Sequence, residues 1–139
     1  MLEPKKRKYR KSFRGRMKGK SQRGSVVAYG EYGLKALGRG WLSSRQLEAG
    51  RRAITHSIKR GGKVWIRVFP DKPVTSRPAG QRMGGGKGDI DRYVVVVTPG
   101  RIIYEVTGIS EELVVDAFAK AGAKMPFKTK IVKKDSVGI

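Results

Sequence analysis

The sequence predicts an α+β fold, in the form of an α/β sandwich whose mostly antiparallel sheet packs against two helices. Apolar residues recur at the helical period in two segments, and several short segments have the alternation or continuous apolarity of strands. The 139 residues are enough for one hydrophobic core. We therefore expect a single domain over residues 25–139, with a basic arm over residues 1–24 and a long internal loop over residues 70–92.

The first helix is predicted to begin after Ser43 and to end at Gly61 and Gly62. Ser43 is a favourable N-cap, and Gln46 completes the capping-box pattern three residues later. One side of this helix is apolar, so it should face the core. The residues on that side are Leu47, Ile54 and Ile58, with Gly50 beside them.

The opposite side of the first helix is basic. Its side chains are those of Arg45, Arg52, His56, Lys59 and Arg60. Glu48 is the only acid between Ser43 and Arg60, whereas an ordinary solvated surface mixes charges of both signs. We expect this side to lie along a nucleic-acid backbone, with a solvated polar face as the alternative.

Strands are predicted at residues 25–29 and 63–69, with a glycine-rich connection between the first of them and the first helix. Two further strands, at 93–97 and 102–106, are expected to form a hairpin through the turn signal at 98–101. The second arm of this hairpin alternates imperfectly, which is compatible with burial on both faces.

A second helix is predicted from Ser110, with Glu111 and Glu112 favourably placed in its first turn. Its expected apolar face consists of Leu113, Val114, Ala117, Phe118 and Ala121. The acidic first turn would repel phosphate, so we expect this helix to lie away from nucleic acid. A last strand is predicted at residues 127–132.

Residues 70–92 lack apolar periodicity and predict a long loop, which in a compact domain is usually functional or disordered. Three prolines stiffen its entry, and residues 84–86, all glycine, remove side chains at its tip. Its basic side chains are Lys72, Arg77, Arg82, Lys87 and Arg92. Such a loop suits insertion into a narrow, negatively charged place.

The net charge is +21, and residues 1–24 hold eleven basic residues against one acid. This excess predicts a polyanionic partner. The arm cannot fold alone and is expected to order against phosphates, with Tyr9 and Phe13 able to stack on bases. A solvated tail, an organellar transit peptide and a nuclear signal in the run PKKRK remain alternatives for this segment.

Folded RNA is favoured over DNA as the partner. A DNA-bending arm usually carries an apolar wedge, and the loop tip offers only Met83 among glycines and Lys87. Basic segments that order on contact are typical of RNA-binding proteins. A free nucleic-acid chaperone or a DNA-compacting basic protein is the alternative.

Other chemistries are poorly supported. The absence of cysteine excludes disulfides and zinc-thiolate sites. Lys87 is followed by Gly88 instead of Ser or Thr, which argues against a phosphate-binding P-loop. His56 has no visible catalytic partner, and Asp89 and Asp91 lie among too many bases for a metal site. We expect no enzyme activity, no cofactor, no metal ion and no membrane span.

Four stretches follow one another along the chain: MLEPKKRKYRKSFRGR, RVFPDKP, RMGGGKG and PGRIIYEVTGISEELVVDAFAKAG. In this collinear order they resemble the bacterial large-subunit ribosomal protein sixteen family. The resemblance covers nearly the whole chain. It implies an α/β sandwich with extended arms, bound to large-subunit rRNA near the aminoacyl-tRNA site beside neighbouring ribosomal proteins. The long loop would point toward the peptidyl-transferase region and approach tRNA.

The resemblance also implies two groups of contact residues. The rRNA-binding group is Lys5, Lys6, Arg7, Arg10, Arg14, Arg16, Arg45, Arg52, Lys59 and Arg60. The tRNA-facing group in the loop is Arg77, Arg82, Met83 and Lys87. The expected location is a cytoplasmic ribosome, with an organellar ribosome left open.

Overall fold

The computed structural model describes residues 2–5, 19, 21, 24–58, 61–76 and 89–134. Within these ranges the chain forms two helices and seven strands, which confirms the predicted α+β class. The elements in chain order are β1 (Tyr32–Ala36), β2 (Gly40–Ser43), α1 (Ser44–Ser57), β3 (Lys63–Ile66), β4 (Lys72–Ser76), β5 (Asp89–Val97), β6 (Ile102–Thr107), α2 (Glu111–Gly122) and β7 (Thr129–Lys133).

The strands form two antiparallel sheets where the sequence predicted one. The larger sheet has the order β3-β6-β1-β7, and the smaller has the order β2-β5-β4. Every described pairing is antiparallel. β6 and β1 are the inner strands of the larger sheet, and β5 is the inner strand of the smaller one.

The prediction of a strand at residues 25–29 is wrong. These residues form no strand, and residues 28–30 instead donate backbone hydrogen bonds to a side chain of the larger sheet. The region predicted as a glycine-rich connection instead contains β1 and β2. Its glycines mark close packing: a Cβ at Gly33 would lie 2.8 Å from Cγ2 of Val27. Glycine in a strand commonly marks a close approach by another part of the chain, and in the sequence alone it resembled a loop signal.

The predicted hairpin of residues 93–97 and 102–106 is also wrong. Its two strands belong to β5 and β6, which lie in different sheets. The turn itself is present, with Gly100 at φ 98°, and it passes the chain from one sheet to the other. Periodicity could not reveal this, since both strands are rich in apolar residues and local sequence does not specify a distant pairing partner.

The predicted loop of residues 70–92 is shorter than expected, because β4 and the first residues of β5 lie inside that range. These two strands pair from Lys72 opposite Val94 to Ser76 opposite Asp89. β4 contains Pro73 and is an edge strand, where proline is tolerated. The connecting residues 77–88 lie outside the described ranges. β3 ends at Ile66, three residues before the predicted end.

Both predicted helix starts are confirmed. The N–H of Gln46 donates to Oγ of Ser43 at 3.2 Å, and the N–H of Ser43 donates to Oε1 of Gln46 at 2.9 Å, which completes the capping box of α1. α1 ends at Ser57 with Ile58 as its C-cap, earlier than the predicted glycines. Ser110 caps α2, which ends at Gly122.

The apolar sides of the helices lie in one core with the inner faces of the sheets. The residues of α1 predicted to face the core, Leu47, Gly50, Ile54 and Ile58, are all buried. In α2 the buried residues are Val114, Ala117, Phe118 and Ala121, whereas Leu113 is 42% exposed, so its assignment to the core face was wrong. At 100° per residue, Leu113 lies at the edge of the arc formed by the four buried residues.

Tyr104 of β6 joins the larger sheet to α1. Its buried hydroxyl donates to the carbonyl oxygen of Leu47 at 2.6 Å. Gly50 makes this approach possible, because a Cβ there would meet the Tyr104 hydroxyl and lie 2.9 Å from Cε of Met125. Burial raises the pKa of Tyr104, so its hydroxyl remains a donor.

The face of the larger sheet opposite to Tyr104 is covered by residues 24–31, which we call the strap. Glu105, fully buried, holds it there: Oε1 accepts the N–H groups of Ala28, Tyr29 and Gly30 at 3.0, 2.7 and 2.8 Å. The other carboxylate oxygen accepts a charge-assisted hydrogen bond from the Arg67 guanidinium. The two faces of β6 are thus both buried, as its imperfect alternation suggested.

Burial alone would raise the pKa of Glu105, but the hydrogen bonds from Gly30, Arg67, Tyr29 and Ala28 outweigh it, and the pKa is lowered. The carboxylate is therefore ionised and fully hydrogen-bonded inside the protein.

Two described parts of the N-terminal segment also touch the domain. Leu2 is half-buried and packs against the hydrophobic core. The N–H of Ser21 donates to the carbonyl oxygen of Pro99 at 2.9 Å, and its hydroxyl lies 2.6 Å from that of Thr98.

Candidate nucleic-acid interface

A groove of about 660 Å³ lies between α1 and α2. Small side chains form much of its lining, since Ala49, Ala53 and Ala123 leave the two helices no bulk to fill it. Its remaining lining consists of Ser57 and four basic side chains, those of Arg52, His56, Lys120 and Lys124. The groove therefore combines an apolar, open floor with positive charge.

Helical spacing places the basic side chains along this groove. Arg52 and His56 are four residues apart on α1, so they lie on one side of that helix. Lys120 lies in the last turn of α2 and Lys124 just beyond its end, and both line the groove. Arg52 and His56 are exposed, as predicted for the basic side of α1. The two basic pairs lie on opposite sides of the groove, which suits a linear polyanion lying between them.

The acids near the groove neutralise only part of this charge. Glu48 forms an ion pair with Arg51, and its Oε1 lies 3.4 Å from Nε of Arg52. The hydrogen bond from Arg51 lowers the pKa of Glu48, which stays ionised. Asp116 lies 3.1 Å from Nζ of Lys120. Exposed pairs of this kind contribute little to stability, so these cations remain available to a partner.

The two ends of α2 differ in charge. Its N-terminal Glu111 lies 3.1 Å from Nζ of Lys133, whereas its C-terminal end brings Lys120 and Lys124 to the groove. Sequence reasoning considered only the acidic end and missed this contribution. The spacing of the two lysines beside Ala123 was the signal that could have revealed it.

The predicted rRNA-binding residues fall into two groups. Lys5, Arg45 and Arg52 lie in the described ranges, and all three are exposed. Arg52 lines the groove, while Arg45 lies about two turns earlier on α1, outside its lining. The other predicted rRNA contacts lie outside the described residues: Lys6, Arg7, Arg10, Arg14, Arg16, Lys59 and Arg60.

The four predicted tRNA-facing residues, Arg77, Arg82, Met83 and Lys87, also lie outside the described ranges. The strands that flank them carry further positive charge. Nζ of Lys72 in β4 lies 5.0 Å from the ring centroid of Trp41, and Arg92 in β5 is exposed. The base of the β4–β5 hairpin is therefore basic as well as ordered.

The described part of the chain offers neither a metal site nor a membrane-spanning helix. No group of three or more potential ligand residues there could hold a metal ion. No helix in the same ranges has the length and apolarity needed to cross a bilayer.

Comparison with known proteins gives two consistent findings. The family model described as ribosomal protein L16p/L10e matches residues 4–132 of this chain. The chain is also similar to the large ribosomal subunit protein uL16c of Oedogonium cardiacum, with 59% identity over 133 residues. That similarity covers 96% of this chain and 97% of the relative.

Proposed function

The chain belongs to the ribosomal protein L16p/L10e family, and from this premise we propose that it binds large-subunit rRNA near the aminoacyl-tRNA site and helps to position tRNA. The family makes it a structural, non-enzymatic protein of the large ribosomal subunit. Ribosomal RNA and other ribosomal proteins are accordingly its partners, and the ribosome is its location. We further infer an organellar ribosome from the similarity to uL16c.

The groove between α1 and α2 carries the rRNA part of the proposal. It presents Arg52, Lys120 and Lys124 over a floor of alanines, and the two nearby acids leave it positive. An RNA backbone laid between the helices would exchange its counterions for these cations. The arm of residues 1–24 adds sequence-independent charge to the same attachment.

The tRNA part of the proposal depends on the β4–β5 hairpin. Residues 77–88 connect two strands whose last described pair is Ser76 opposite Asp89. The connection leaves the edge strand β4 and enters β5, the central strand of its sheet, and the pairing of these two strands fixes both of its ends. A connection anchored in this way can carry Arg77, Arg82 and Lys87 away from the domain toward a second RNA.

Assembly into the large subunit tests the groove. In Arg52→Ala/Lys124→Ala, two cations of the lining are lost, and the amount of protein in purified large subunits should fall. The matched control is Lys128→Ala/Lys130→Ala, which removes two exposed lysines outside the groove and should incorporate normally. Equal stoichiometry of both double variants, measured by quantitative mass spectrometry, would contradict a role for the groove.

A separate experiment tests the loop. Arg82→Ala should assemble at normal stoichiometry but reduce tRNA binding at the aminoacyl site of the purified ribosome. Subunits that simply lack the variant protein would show that Arg82 serves assembly and not tRNA.

Sedimentation of the wild-type protein with the large subunit, at one copy per particle, separates a ribosomal protein from a free chaperone.

A further inference from the structure

A row of two stacked rings with a cation at each end lies on the side of the larger sheet that carries the strap. Tyr29 of the strap stacks on Trp65 of β3, with ring centroids 6.2 Å apart and an angle of 27° between their planes. Nζ of Lys63 lies 5.1 Å from the centroid of Trp65, and Cζ of Arg67 lies 5.1 Å from that of Tyr29. Trp65 pairs with Glu105 across the ladder, so its ring shares the face of the sheet opposite to Tyr104.

The protein fixes this row without burying it. The backbone N–H of Tyr29 is held by Glu105, and the guanidinium of Arg67 both pairs with Glu105 and contacts the ring. Yet Tyr29 remains 63% exposed. A tyrosine that serves packing alone buries most of its ring, because the ring is the larger part of what it can contribute to stability. Here the ring of Tyr29 is fixed in position but faces solvent.

The surroundings are positive. Lys63 is exposed beside Trp65, whereas Arg67 is largely enclosed, its side chain 16% exposed and already paired. Lys63 is therefore the cation able to reach a phosphate, and Arg67 orients Tyr29. Proteins commonly bind single-stranded nucleic acid with exposed aromatic rings beside an exposed lysine. The bases stack on the rings, and the lysine contacts a phosphate.

We propose that Tyr29 and Trp65 form a stacking site for one unpaired nucleotide of RNA, with Lys63 at its phosphate. Paired bases are already stacked within their helix, so an unpaired base, splayed from a loop or bulge, is the fitting ligand. The proposal rests on the chain being an RNA-binding protein, but it requires neither the groove between α1 and α2 nor the loop of residues 77–88.

Tryptophan fluorescence of the full-length protein tests the site directly. The chain has two tryptophans, so Trp41→Phe leaves Trp65 as the only one. At about 0.3 M KCl, where contacts to phosphate are weakened, oligoadenylate should quench Trp65. An oligomer with the same ribose-phosphate backbone and no bases should bind more weakly and leave the emission nearly unchanged.

Three variants complete the experiment. Tyr29→Leu should weaken oligoadenylate binding about tenfold, as expected for the loss of one stacked base, with binding measured by the anisotropy of labelled RNA. Phe69→Leu removes another exposed aromatic side chain, 44% exposed and outside the stacked row, and should leave the affinity unchanged. Tyr29→Phe retains the ring and should behave like the wild type.

The proposal is overturned if saturating oligoadenylate leaves Trp65 emission unchanged, if the base-free oligomer quenches equally, or if Tyr29→Leu binds as well as Phe69→Leu. Absence of any binding to single-stranded RNA overturns it too. The groove and the loop are tested by assembly and by tRNA binding, so a failure here leaves the proposed ribosomal role standing.

Discussion

The two faces of the larger sheet are covered by different means, although neighbouring residues of β6 organise both. On one face Tyr104 lies among apolar side chains and helices, and it adds a single hydrogen bond to Leu47. On the other face Glu105 holds the strap by an ion pair and three backbone N–H groups. Helices bring their own apolar surface, whereas a strap without internal hydrogen bonds needs an acceptor for its N–H groups.

The largest expected effect comes from removing that acceptor. Glu105→Ala would leave the Arg67 guanidinium and three N–H groups without their partner, and breaking a buried ion pair in this way costs about 3–5 kcal/mol. Urea unfolding at neutral pH measures the loss. Glu31→Ala is the control, since Glu31 lies in the same strap but is exposed, and its loss should cost under about 1 kcal/mol. Similar losses in both variants would contradict the anchoring role.

Acid should loosen the strap before it affects the helix-covered face. The pKa of Glu105 is lowered in the folded protein, so its contribution is fully present above the ordinary carboxyl pKa and is lost as the pH falls through the folded value. Between about pH 5 and pH 2 the wild type should therefore lose more stability than Glu105→Gln, which has no charge to lose. Unfolding curves of the two proteins that shift in parallel across this range would show that Glu105 does not titrate as described.

The helix-covered face should depend less on its one polar contact. Tyr104→Phe removes the hydroxyl that donates to Leu47, at an expected cost of about 1 kcal/mol. The surrounding apolar packing stays in place, so the loss should remain well below that of Glu105→Ala. Tyr29→Phe is the matched control, and it should be neutral because Tyr29 is mostly exposed. A larger loss for Tyr104→Phe than for Glu105→Ala would reverse the proposed difference between the two faces.

The smallest effect on stability is expected beyond both faces, in the groove. Arg52 has a side chain 70% exposed, and substitution of such surface residues usually changes the free energy of unfolding by less than about 0.5 kcal/mol. Arg52→Ala/Lys124→Ala should therefore unfold like the wild type while incorporating poorly into subunits. A loss of several kcal/mol would mean that the groove cations hold the two helices together.

Local signals in the sequence predicted the helices well. Ser43 with Gln46 and Ser110 with its following acids identify helix starts through contacts within one turn. The basic side of α1 followed from the same periodicity. These features need no knowledge of distant parts of the chain.

Features that depend on distant contacts could not be predicted. The separation of β5 and β6 into two sheets is decided by their partners, which lie far along the chain. The groove needed the lysines of α2 as well as the arginine of α1, and only the packing of the two helices brings them together. Glu105 did leave a trace, as a lone acid within the apolar run IIYEV, but its partners in the strap are about 75 residues away in sequence.

The contacts of Leu2 and Ser21 bear on the energetics of RNA binding. They fasten the basic N-terminal segment to the domain at two points, so that most of its positive charge lies between two tethers. Leu2 and Ser21 are thereby fixed before RNA binds, so ordering these two positions adds nothing to the cost of binding. Cutting one tether, by Leu2→Ser, should therefore weaken RNA binding without removing a single charge.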